Sequence, residues 1–220
     1  VLYHTNGTVP IPEKLVTLAP KFATVAVMFS VDAVEAQFDY VRTNASWNQV
    51  CANIESMQSA NIPNVTFMCT AVVSALNVLY LDPLLEWISE HMPPAAHLKI
   101  NDWQPGTTAH DKIVTLQNKF HVALNVIINP EHYGFSIFTP AQRAILIEHL
   151  ASSKFDLSSV ISHIQHIDYS EVVASKFWEE VNWTKKYKEL DIKTSFMDNI
   201  SEVVINELST EISQRISNTK

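Results

Sequence analysis

Polar residues able to grip a ligand recur where the apolar runs of this chain end. "YHTNGT" brings Thr5, Asn6 and Gly7, and "FSVD" brings Ser30 and Asp32. Ser74 and Asn77 follow the next run, and Asn129, Pro130 and Glu131 follow the one after it. Hydroxyls donate and accept, carboxylates accept, and amides do both, so such a set suits a polar ligand. The same residue types also cap helices and close turns, so each one alone is ordinary. Their shared placement after apolar runs is what makes them candidates.

Other chemistries are poorly supplied. There is no G-x-S-x-G, no cysteine–histidine pair at a loop, and no paired-carboxylate signature. Three glycines in the chain exclude a Gly-rich phosphate cradle, where backbone must approach a pyrophosphate closely. Cys51 and Cys69 each lie inside an apolar-periodic segment, which reads as buried thiols. His163 and His166 share a helical spacing, His91 and His97 flank a Pro-Pro pair, and His4 sits by the first turn. They have no convergent set of further ligands, so a metal centre is not expected. The tryptophans fall at helix-face spacing and read as packing residues.

The elements that must position the candidates alternate. Residues 1–3, 24–29, 65–73 and 122–128 are strand candidates, most of them continuously apolar and rich in β-branched residues, the pattern of parallel strands buried on both faces. Residues 97–100 are a weaker strand candidate. Helical patterns cover residues 13–19, 46–59, 81–91 and 139–150. Ser46 is the expected N-cap of the second and Thr139-Pro140 opens the fourth. Trp47, Val50, Cys51, Ile54 and Met57 share one face of the second. Strands alternating with helices imply an α/β fold with a parallel sheet or barrel, whose function sits in the loops after the strands. Beyond residue 155 the pattern is helical only, over residues 157–167, 171–190 and 196–216. The expected organisation is an α/β unit over residues 1–155 and a helical region over 156–220.

Net charge of −8 argues against a nucleic-acid footprint, and the cluster Lys185-Lys186-Tyr187-Lys188 sits among acids. No apolar run reaches the ~20 residues of a membrane span. Sparse cysteine and no leader-like opening lead to the expectation of a cytoplasmic protein that contacts neither membrane nor nucleic acid. The sequons, Asn6-Gly7-Thr8 among them, then have no role as glycan acceptors.

Taken together, "YHTNGTVPIP", "VAVMFSVDAVEAQFDYVR" and "SWNQVCANI" resemble the middle of a radical S-adenosylmethionine (SAM) enzyme. "VTFMCTAVVSALNVLYLDPLLEWI" and "LNVIINPEHYGFSIFTPAQR" resemble later parts of its compact branch with a twitch-like C-terminal region, several members of which are virus-encoded. "FWEEVNWTKKYKELDIKTSF" resembles its closing helices more loosely. The resemblance implies a partial parallel (βα) barrel with a helical C-terminal appendage. It implies that Ser30 and Asp32 face the SAM ribose and that Arg42 pairs with the SAM carboxylate, a task suited to a planar guanidinium. Thr5 and Asn6 would line the methionine end. An alternative for Arg42 is a surface position beside Asp39.

The chain departs from the family in lacking C-x3-C-x2-C, whose thiolates hold a [4Fe–4S] cluster, and the Gly-Gly-Glu turn that receives the SAM amino group. In the family both precede the TNG turn. The expectation is therefore a C-terminal portion, inactive without an upstream N-terminal segment that carries the cluster. Its substrate would be a small molecule, peptide or protein. The alternative is a cluster-less α/β domain that binds SAM or a protein partner.

Overall fold

Three of the apolar runs pair directly in chain order. β1 (Leu2–Thr5), β2 (Val25–Ser30) and β3 (Val65–Val73) are parallel neighbours, in register Leu2 to Ala26 and Val25 to Val65. The computed structural model describes residues 1–92, 111–116, 120–127 and 129–188. Within them β4 (Asp111–Leu116) and β5 (Phe120–Val126) complete a five-stranded sheet of order β1-β2-β3-β5-β4. β5 runs parallel to β3, with Cys69 opposite Val122. β4 is antiparallel to β5 and forms the far edge, a strand that the sequence pattern does not mark. The α/β class with four parallel strands is as the apolar runs imply. The candidate strand at 97–100 and the helix at 196–216 lie outside the described residues.

The helices are α1 (Glu13–Leu18), α2 (Glu35–Val41), α3 (Trp47–Ser59), α4 (Leu81–His91), α5 (Pro140–Ala151), α6 (Ser158–Gln165) and α7 (Glu171–Lys188). Strand side chains alternate between faces. Val27, Phe29, Phe67, Cys69, Val122 and Leu124 join one core with Phe38, Ile54, Leu85, Leu150, Ile164 and Phe177 from the helices. Each fully buried large side chain contributes roughly 1.5–3 kcal/mol. Because α6 and α7 pack into that same core, the region after residue 155 is continuous with the sheet's helical layer. Parallel crossovers are right-handed, so strands added in chain order put their helices on one face. The opposite face carries a separate small cluster of Ala26, Met28 and Met68.

Local chemistry explains the element ends. Thr139 accepts from the Gln142 N–H while Gln142 accepts from the Thr139 N–H, a reciprocal capping box that starts α5 before Pro140. Ser46 occupies the N-cap of α3, but its side chain makes no capping bond. The Asp39 carboxylate accepts from the Trp47 N–H instead, at 2.6 Å. α2 is entered through Glu35 at a left-handed φ of 51°.

Candidate functional site

The carboxyl ends of β2 and β3 carry a connected polar network. Asp32 lies two residues past β2 and is buried, its side chain 8% exposed. Its Oδ1 accepts from the Val72 N–H at 2.8 Å, which ties the end of β2 to β3. Its Oδ2 accepts from Arg42 Nε at 2.7 Å and lies 2.6 Å from Arg42 Nη2. Two guanidinium nitrogens on one carboxylate oxygen leave Arg42, 27% exposed, with its Nη1 toward the outside of the pair. Asp39 is engaged at α3, so the surface pairing with Arg42 is not what forms.

Asn77 holds this end of the sheet together. Its Nδ2 donates to the backbone oxygens of Asp32 (2.6 Å) and Val72 (2.8 Å), and its Oδ1 accepts from the Ser74 N–H (2.7 Å) and hydroxyl (3.2 Å). Gln37, reaching from α2, donates to Leu76 O at 2.6 Å. Ser74 and Asn77 therefore act as the buried brace of the rim and leave ligand contact to other side chains. Nothing in the strand periodicity marks Gln37 for its part.

Ser30 lies on the face opposite the helices, with Met28, and its hydroxyl has no hydrogen-bond partner among the described residues. Its backbone neighbour across the sheet is Thr70. The Thr70 hydroxyl donates to Ala123 O (3.3 Å) and accepts from Asn125 Nδ2 (3.0 Å), which extends the polar stripe to β5. Neither Thr70 nor Asn125 stands out in the sequence, because each is one polar residue inside an apolar strand.

The first turn is built differently. Thr5 falls on the alternate side of β1 from His4, and its Oγ1 accepts from the Gly7 N–H at 3.1 Å. His4, in register with Met28, shares the face of Ser30. Asn6 is exposed, its Oδ1 accepting from the Thr8 N–H and hydroxyl. Asn53 of α3 donates to Gly7 O at 2.7 Å and fixes the turn. Gly7 has φ +71°, and a Cβ there would sit 3.1 Å from Val50 Cγ1, so backbone and packing both require glycine. The structure thus joins Asp32 to Arg42 and places Ser30 at the end of β2, two residues before Asp32, while Thr5 and Asn6 form a separate, self-bonded turn.

After β5, Asn129, Pro130 and Glu131 are exposed. The next two residues turn inward: Tyr133 donates to Glu180 Oε1 at 2.6 Å, and Tyr133 O accepts from the Ala75 N–H. His132 Nε2 lies 2.7 Å from Glu180 Oε2. Burial first, then the bond to Glu180, pushes the Tyr133 phenol well above its ordinary range, so it stays protonated. The same bond lowers Glu180. This cluster, which fastens α7 to the rim loop, has no signature in the sequence.

Metal-ligating chemistry is not assembled in what is described. Burial drives Cys69 up to about 12, and burial with Glu55 drives Cys51 up to about 11, so neither is a thiolate at neutral pH. His91 stacks on Trp87, His163 meets the Phe135 ring edge-on, and His166 Nδ1 lies 2.6 Å from Ser162 O. Among the described residues no three His, Cys, Asp or Glu side chains gather as a metal site, and no helix is long and apolar enough to cross a membrane.

A scan of protein-family models finds no match to the chain, and neither the curated proteins nor the solved structures include one that matches it.

Proposed function

We propose that residues 1–220 form the SAM-binding and substrate-side portion of a radical SAM enzyme, with a partial (βα) barrel completed by polypeptide outside this stretch. The observation that carries the reading is the rim itself. A buried carboxylate paired with a partly exposed guanidinium lies just past the end of β2, the strand that an unbonded serine hydroxyl terminates, in a sheet of parallel strands laid in chain order. That is where α/β folds bind their ligands. Ser30 has both a donor and two acceptor positions open for ribose hydroxyls. Asp32, already accepting two bonds, orients Arg42, whose Nη1 is the group available to a ligand carboxylate. The Thr5-Asn6 turn closes the same end of the sheet.

The [4Fe–4S] cluster does not fit these residues, since Cys51 and Cys69 are separated, protonated and on different elements. Reductive cleavage of SAM, which yields the radical that abstracts hydrogen from the substrate, is assigned to a cluster held outside residues 1–220. Reading the coding sequence upstream of residue 1 tests this. The expected result is a C-x3-C-x2-C run within about 30 to 100 residues, the span of one or two strand–helix units; a complete upstream sequence without it contradicts the enzymatic reading.

A second reading, a cluster-less binding module, is favoured by one observation. Arg42 and Asp32 satisfy each other, as a purely structural pair does. Under that reading the pair stays closed when SAM is added.

A further inference from the structure

The turn after β1 holds the only Asn-Gly pair in the chain, Asn6-Gly7. An asparagine side chain and the next backbone nitrogen can close a five-membered ring. A Cβ on the following residue obstructs that closure, so glycine is the permissive neighbour. Asn6 is exposed, while Gly7 behind it is buried. Asn53 Nδ2 donates to Gly7 O at 2.7 Å, so the residue whose nitrogen would attack is held in place.

The side chain of Asn6 is fixed as well. Its Oδ1 accepts from the Thr8 N–H at 3.1 Å, an Asx turn that folds the side chain back over the Asn6–Gly7 peptide. The same oxygen accepts from the Thr8 hydroxyl at 2.8 Å. Two donors on one carbonyl oxygen stabilise the negative charge that gathers there when its carbon is attacked, as an oxyanion hole does. Thr5 works the other way: its Oγ1 accepts from the Gly7 N–H at 3.1 Å and retains the proton that the attacking nitrogen must lose. The exposed residues Asn44, Asn61 and Asn64 share a left-handed φ, but Ala45, Ile62 and Val65 follow them.

We propose that Asn6 is a self-modification site, a deamidating residue whose turn supplies an oxyanion hole through Thr8 and a brake through Thr5. The Gly7 nitrogen gives up its proton to solvent and bonds to Asn6 Cγ. The Cγ–Nδ2 bond then breaks, and Nδ2 takes a proton back from solvent and leaves as ammonia. Water opens the resulting succinimide at either carbonyl and leaves an aspartyl or an isoaspartyl residue at position 6. Water is the only co-reactant. Both products add a negative charge to the turn. The isoaspartyl link also routes the main chain through Cγ, lengthening it by one carbon, which moves Gly7 O away from Asn53 and loosens the tie between β1 and α3. The inference rests on the turn alone and stands whether or not the rim takes SAM.

The test is to age the purified protein in mildly alkaline buffer at physiological temperature. Peptide mass spectrometry and isoaspartyl-specific methylation then read position 6, with Asn44 and Asn61 as internal references. Asn6 should convert to a mixture of the two products, well ahead of the references. Thr8→Val keeps the N–H donor and the side-chain shape but removes the hydroxyl, so it should slow conversion by about fivefold, roughly 1 kcal/mol of barrier. Thr8→Ser should restore the rate. Thr5→Val should speed conversion by a similar factor. Both effects should vanish in urea, where the turn is lost, which separates its geometry from the reactivity of an Asn-Gly pair as such. An intact Asn6, a Thr8→Val protein that ages as fast as the parent, a slower Thr5→Val protein, or a Thr8 effect that persists in urea overturns the proposal.

Discussion

The rim at the carboxyl ends of β2 and β3 and the outer edge at β1 make opposite use of the same sheet. At the rim most polar groups are bonded inside the chain, and Asn77 alone bonds three backbone groups, those of Asp32, Val72 and Ser74. At the edge, the outward backbone groups of β1 have no partner among the described residues, and apolar side chains such as Leu18 and Phe22 are exposed. Pre-bonded polar groups lose little freedom when a small ligand arrives, which is how binding sites are kept in register. Open ladder groups and apolar surface are instead satisfied by more polypeptide.

Mutations should expose that contrast as a gradient in stability. Asn77→Ala leaves the Asp32 and Val72 carbonyls and the Ser74 N–H without their partner in a buried setting, so a loss of about 3 kcal/mol or more is expected in urea unfolding. Arg42→Met strands the Asp32 carboxylate; with Arg42 partly exposed, solvent screening reduces the expected loss to about 2 kcal/mol. A loss near zero there would mean that the pair is not held as described. Gly7→Ala forces a Cβ into left-handed backbone against Val50, and a fall of about 1–2 kcal/mol should appear in the same assay. Leu18→Ser, at the open edge, should change stability by less than about 0.5 kcal/mol, because little is packed there to lose. Were Leu18→Ser to cost as much as Arg42→Met, the edge would belong to this chain's own core and the contrast would collapse.

What the sequence discloses follows from the range of each interaction. β2 and β3 are legible because strands buried on both faces are written as unbroken apolar runs. β4 is not, since an edge strand starting Asp-Lys has no such run, and only pairing with β5 makes it a strand. α2, Glu35–Val41, is not read from the sequence at all. The capping box at Thr139 is local and legible, whereas the cap of α3 comes from Asp39, on another helix. In the same way Ser30, Asp32 and Arg42 are visible as residue types after a strand. That Arg42 closes on Asp32, that Asn53 pins the Gly7 turn, and that His4 shares the face of Ser30 are products of packing between elements.

The central claim, that the Ser30–Asp32–Arg42 rim receives SAM, is tested most directly by ¹H–¹⁵N spectra of residues 1–220 during titration with SAM to millimolar concentration. Shifts are expected at Ser30, at the Arg42 Nε–H and in the Thr5-Asn6 turn, with the Arg42 shift abolished in Arg42→Met. A spectrum unchanged at those positions, or changed only away from the carboxyl ends of β1 and β2, would contradict it.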